Sequence, residues 1–118
     1  MGSTNEFAGT LAGFDALKEL MGEDGIQELI DIFIEDGGVH IDALGSALAR
    51  RDTMLLADEA HALKGSSATV GANQMATLCA QLEKRGRAGS ILGADRLLEA
   101  LVDEFHLVAG LLAKNRQN

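Results

Sequence analysis

The chain has no proline, no tryptophan and no tyrosine, and only 3% of its residues are aromatic. Strands draw on β-branched and aromatic residues, whereas the Leu and Ala that dominate the apolar set here favour helices, so the composition predicts an all-α protein. With a single cysteine, Cys79, no intramolecular disulfide can form, which suits a reducing compartment such as the cytoplasm. The first ten residues, MGSTNEFAGT, lack the basic and apolar regions of a signal peptide, and no apolar run approaches the ~18 residues a membrane span needs. A soluble chain with no direct membrane contact is expected. Basic residues are also scarce, and the formal charge of −8 disfavours nucleic acid and anionic membranes as partners. Four of the ten basic residues nevertheless fall in one short stretch, as Lys64, Lys84, Arg85 and Arg87.

What is present is apolar spacing at helical period. The 118 residues fit one domain, expected over 10–115, with 1–9 as a flexible, tag-like leader. A short first helix fits Leu11 to Met21. A long amphipathic helix carrying Ile26, Ile30, Phe33, Ile41, Leu44 and Leu48 follows to about Arg50, with Gly37 and Gly38 as a candidate bend. Asp52 is placed to cap a third helix whose stripe is Leu56, Ala60, Leu63, Ser67 and Val70, ending near Gly71. A fourth runs from about Asn73 to Arg85 on Met75, Leu78, Cys79 and Leu82, with Gly86 and Gly89 as its stop and Ser90 as a cap for the next. The last carries Ala94, Leu98, Leu101, Phe105, Val108 and Leu112. The pattern predicts an antiparallel up-and-down four-helix bundle with a short additional N-terminal helix packed across one end.

His61 stands out within the third helix. At 100° per residue it falls about 140° from the apolar stripe and so points to solvent. Ala57, Lys64, Gly65 and Ala68 lie three or four residues from it or from one another on the same face. Apart from Lys64 these neighbours are tiny, and a glycine inside a helix costs ~1 kcal/mol relative to alanine, so Gly65 answers a need other than helix stability, such as room for an approaching partner. A neutral imidazole is a nucleophile able to accept a phosphoryl group, and a lysine one turn away places a cation where phosphoryl oxygens would sit. An antiparallel hairpin centred near Ala72 puts Glu83 at the height of His61, since the two are equally far from it. A carboxylate there can hold one ring N–H and leave the other nitrogen free. The same geometry brings Arg87 near the level of Ala57. Lys64, Lys84 and Arg87 then either ring His61 with positive charge for an acidic or phosphorylated partner, or, for the pair near the helix C-terminus, simply complement the helix dipole.

The run His61-Ala62-Leu63-Lys64-Gly65-Ser66-Ser67, followed by Val70-Gly71-Ala72 and by Leu78-Cys79 through Leu82-Glu83, resembles the signature of histidine phosphotransfer (HPt) domains. Phe33-Ile34-Glu35-Asp36 is similar to that family's second helix. The resemblance implies that His61 is phosphorylated, that Lys64 acts electrostatically and that Gly65 leaves close-approach space; some family members have glutamine where Glu83 stands. It implies a phosphoryl carrier of a two-component phosphorelay, accepting from one receiver-domain aspartate and passing to another, and not an enzyme in its own right. Response-regulator receivers and a hybrid sensor kinase are the implied partners. No cofactor is implied beyond the Mg²⁺ of the partner receiver, and a monomer is expected.

Two other readings compete. The chain is less suited to be the phosphoacceptor and dimerisation helices of a histidine kinase, because four helices complete a bundle without a second protomer and no glycine-rich ATP-binding region is present. A non-catalytic helical adaptor would dock the His61 face without chemistry. His40 and His106 read as ordinary helix-face residues with no metal-ligand spacing to His61. Cys79 and the methionines Met21, Met54 and Met75 read as core or helix-end packing. Both a free-standing protein and the C-terminal piece of a hybrid kinase are consistent with the sequence.

Overall fold

A computed structural model of the chain describes residues 11–116, so the leader expected over 1–9 lies outside the described residues. Four helices and no strand occur among them: α1 Phe14–Ala49, α2 Thr53–Thr69, α3 Asn73–Arg87 and α4 Ala94–Arg116. Each packs on its neighbour in the chain, and α4 closes the ring against α1. The connections 50–52 and 70–72 are too short to carry the chain back along the bundle, so each reverses its direction.

Helix α2 starts where its cap places it, because the Asp52 carboxylate accepts the Leu55 N–H at 3.0 Å. Its whole expected stripe, Leu56, Ala60, Leu63, Ser67 and Val70, is buried, and meets Ile26, Ile30, Phe33 and Leu44 of α1, Met75, Cys79 and Leu82 of α3 and Leu101, Phe105, Val108 and Leu112 of α4. Burying one leucine of this kind stabilises by about 2 kcal/mol, so the repeated stripes supply the driving force that the few aromatics do not. Ile41, Leu48, Leu78 and Leu98 pack at the edge of this core, half-buried. Cys79 is fully buried, and that burial pushes its thiol up to about 12. A thiol so protonated is inert, so the native protein should resist a disulfide-exchange reagent at pH 8 and react only after denaturation. Equal rates in both states would contradict this placement.

Several boundaries differ from the sequence reading for steric reasons. The short helix expected over Leu11 to Met21 starts at Phe14 and is counted within α1, but Gly22, at φ 77° and ψ 172°, is non-helical and kinks it away from the long stretch that follows. That break lets the first stretch lie over the end of the bundle, where the Ala12 N–H donates to the Gly71 carbonyl at 2.8 Å and Lys18 Nζ donates to Asn115 Oδ1 at 3.1 Å. A Cβ on Gly71 would overlap the Ala12 carbonyl, and its φ of 80° also requires glycine. Gly37 does not bend α1. It is buried, with the Phe105 ring 2.5 Å from where a Cβ would be. Gly86 is not itself the stop: it is the next-to-last residue of α3, pressed against Thr53 and Ala57 of α2, and the chain leaves the helix at Gly89, at φ 73°. Ser90 caps no helix: its hydroxyl accepts the Leu92 N–H at 3.1 Å, ordering the turn before α4. Met75 is buried as expected, but Met54 and Met21 are exposed and do not pack the core.

Candidate functional site

His61 projects from the middle of α2 with 63% of its side chain exposed, and the polypeptide around it is arranged by the α2–α3 hairpin. Because residues equally far from the Ala72 turn meet, Glu83 of α3 reaches it, with Oε2 3.0 Å from His61 Nδ1. The other carboxylate oxygen, Oε1, accepts from Lys64 Nζ at 2.7 Å. Arg87 adds a longer contact to Oε2, 3.4 Å from Nη2, while its Nη1 donates to Asp58 Oδ1 at 3.1 Å. Glu83 is therefore the hub: 16% exposed, held by two cations and one imidazole.

These contacts orient the ring. The hydrogen bond from Lys64, then that from His61, hold the Glu83 carboxyl below its ordinary value of 4.5, outweighing the burial that opposes them. At neutral pH Glu83 is then a carboxylate, which only accepts, so the proton between the two residues belongs to His61 Nδ1. Nε2 has no hydrogen-bond partner among the described residues. The arrangement can offer an exposed, oriented nitrogen lone pair next to an ammonium group.

The depressed carboxyl also sets a pH dependence. A group whose pKa falls on folding adds stability above its unfolded value and loses it as pH drops through the folded one. Glu83→Gln should therefore flatten acid destabilisation below pH 4.5 relative to the wild type, in urea titrations repeated across pH. Parallel curves would show that Glu83 is not held in this way.

Of the other expected site residues, Gly65 opens onto free space, with nothing within 4 Å of where a Cβ would be, and Ala68 is exposed beside it. Ala57 is not on the surface. It is fully buried beneath Gly86, because α3 approaches α2 closely there, and no partner can reach it. Lys84 is exposed and lines a hollow with Gln81, Arg85, Ala88 and Ser90, with no bond to His61. The basic rim thus consists of Lys64 and Arg87, both already engaged by carboxylates. Asp58 was not singled out by sequence reasoning; the hairpin geometry that set Arg87 level with Ala57 carries the signal, since Asp58 is the next residue. His40 is not an isolated surface residue either: its Nδ1 lies 2.7 Å from Glu59 Oε1, linking α1 to α2. His106 is exposed beside the Phe105 ring, with centroids 6.2 Å apart. Among the described residues no group of three or more His, Cys, Asp or Glu could hold a metal ion, and no helix is long and apolar enough to cross a membrane.

The model of the Hpt domain family matches residues 28–111, which include all of α2 and α3 and hence the whole His61 cluster. The chain belongs to the Hpt domain family. It is 28% identical over 91 residues to the phosphorelay protein LuxU of Vibrio vulnificus strains YJ016 and CMCP6, an overlap of 77% of this chain and 79% of that protein. Among solved structures it is similar to the histidine-containing phosphotransfer protein B (HptB) of Pseudomonas aeruginosa PAO1. That likeness has a TM-score of 0.84 and 35% identity, over 88% of this chain and 90% of the other. As an Hpt domain with such relatives, the chain has a role in histidine phosphotransfer within a phosphorelay, as a carrier.

Proposed function

We propose that this Hpt domain carries its phosphoryl group on Nε2 of His61, receiving it from the phospho-aspartate of a receiver domain and yielding it to another. The observation that carries this assignment is the Nδ1 contact to Glu83, which occupies that nitrogen and leaves Nε2 as the ring nitrogen free of any contact on an exposed side chain. In the transfer the Nε2–phosphorus bond forms as the bond to the aspartate oxygen breaks, and the aspartate leaves as a carboxylate with the electron pair. The Nδ1 proton stays between ring and Glu83, whose negative charge offsets the positive charge that the ring gains. Lys64 sits on the side where phosphoryl oxygens arrive, and the empty space over Gly65 admits the partner's pocket. Ala68 lies on that docking face. Lys64 and Glu83 are positioning and electrostatic groups, while Mg²⁺ and the catalytic residues belong to the partner; the domain supplies no cofactor of its own. A soluble cytoplasmic monomer, built as an up-and-down antiparallel bundle, fits this work, with a hybrid sensor kinase as a further source of phosphoryl groups.

The test is transfer of labelled phosphate from a phosphorylated receiver with Mg²⁺. An acid-labile, alkali-stable label on this chain that a second receiver then removes is expected. Binding of a phospho-receiver without transfer would overturn the proposal in favour of an adaptor, and an obligate dimer in light scattering would favour kinase dimerisation helices.

A further inference from the structure

The carboxylate of Glu83 already holds the ammonium group that the incoming phosphoryl group needs, with Lys64 Nζ only 2.7 Å from Oε1. Lysine carries a single point charge on a flexible stem, so as it follows an incoming phosphoryl group its contact with Glu83 must lengthen or be shared. Arg87 is placed otherwise. Its planar fork spans two carboxylates, Nη1 on Asp58 at 3.1 Å and Nη2 at 3.4 Å from Glu83 Oε2. Asp58 stands one turn before His61 on α2, and so anchors the guanidinium beside the ring without being part of the reacting pair. The Glu83 contact is the loose one of the two and has room to shorten.

Resting on the carrier reading above, we infer that Arg87 is a positioning residue that takes over Glu83 when Lys64 moves to the phosphoryl group. Asp58 keeps it in place for that exchange. The carboxylate stays neutralised and directed at Nδ1 throughout, and Lys64 is released at the moment its charge is needed. Without Arg87, Glu83 holds Lys64 back.

A chemical phosphodonor tests this without any partner. With potassium phosphoramidate, Nε2 attacks phosphorus, the P–N bond breaks, ammonia leaves with the electron pair, and Nδ1 keeps its proton. The rate of His61 labelling is followed by phosphorus NMR in four proteins: wild type, Arg87→Ala, Glu83→Gln and the double variant, each checked for helicity. Arg87→Ala should slow labelling about fivefold when Glu83 is present, the scale of a partly exposed ion pair, and leave it nearly unchanged when combined with Glu83→Gln. Arg87→Lys, which keeps the charge but cannot fork to both carboxylates, should recover part of the rate. Equal slowing in both backgrounds would mean that Arg87 merely attracts the anionic donor, and no slowing in either would mean that it is idle; each overturns the exchange while leaving the carrier reading intact. Absence of His61 labelling in the wild type would overturn both.

Discussion

Gly86→Val should destabilise the bundle by about 3 kcal/mol, whereas Gly65→Ala, on the solvent-facing side of α2, should stabilise it by about 0.5 to 1 kcal/mol. Both glycines have helical backbones, Gly65 within α2 and Gly86 next to the last residue of α3, and helices intrinsically prefer other residues except proline. What separates them is what a side chain meets. At Gly86 a Cβ would sit 2.6 Å from the Thr53 carbonyl oxygen and 2.8 Å from the nitrogen and Cβ of Ala57. Two of these atoms are helix backbone, which cannot rotate away, so α3 must move off α2 and open the packing of Leu82 and Leu56 beneath it. At Gly65 a Cβ meets nothing within 4 Å. Thermal melts read the difference, at ~4 °C or more per kcal/mol for a domain of this size. A Gly86→Val variant as stable as the wild type would mean that the close helix approach is not a feature of the native protein. Because Ala57 and Gly86 flank the level of Arg87 and Asp58, the same displacement should also weaken the contacts around His61.

The helices were legible in the sequence because apolar residues recur at one period in each of them, and every residue of the α2 stripe is buried. The His61–Glu83 contact was legible too, since an antiparallel hairpin with a short turn fixes which residues share a height. Glycine was the harder residue to interpret. Gly37, Gly86 and Gly65 look alike in a sequence, yet one makes room for Phe105, one for a neighbouring backbone and one opens onto free space, and only the facing element distinguishes them. Ala57 failed for the related reason that a helical wheel centred on one stripe does not show how closely α3 covers the flank of α2. The engagement of Arg87 by Asp58 and of His40 by Glu59 depends on long side chains reaching across helices, which periodicity does not specify.

His61→Gln should abolish the acid-labile label, while His40→Gln and His106→Gln retain it. His40 is the instructive control, because its Nδ1 also faces a glutamate, at 2.7 Å, so a hydrogen-bonded histidine–glutamate pair alone does not mark the phosphorylated site. Two differences decide between the pairs. The His40 side chain is 26% exposed against 63% for His61, and in-line attack on a phosphoryl group buried in a partner's pocket needs the ring to protrude. Glu83, unlike Glu59, shares its carboxylate with a lysine on the same helix as the histidine, which can follow the phosphoryl group once it arrives. Glutamine keeps the approximate size of the imidazole and can still donate an amide N–H towards Glu83, but it has no nucleophilic nitrogen. Since His61 is exposed, the substitution should change stability by less than about 0.5 kcal/mol, so loss of label cannot be ascribed to unfolding. Label surviving in His61→Gln and vanishing in His40→Gln would move the phosphorylated residue to α1, and the reasoning from the uncontacted Nε2, the lysine and the open glycine face would fall with it.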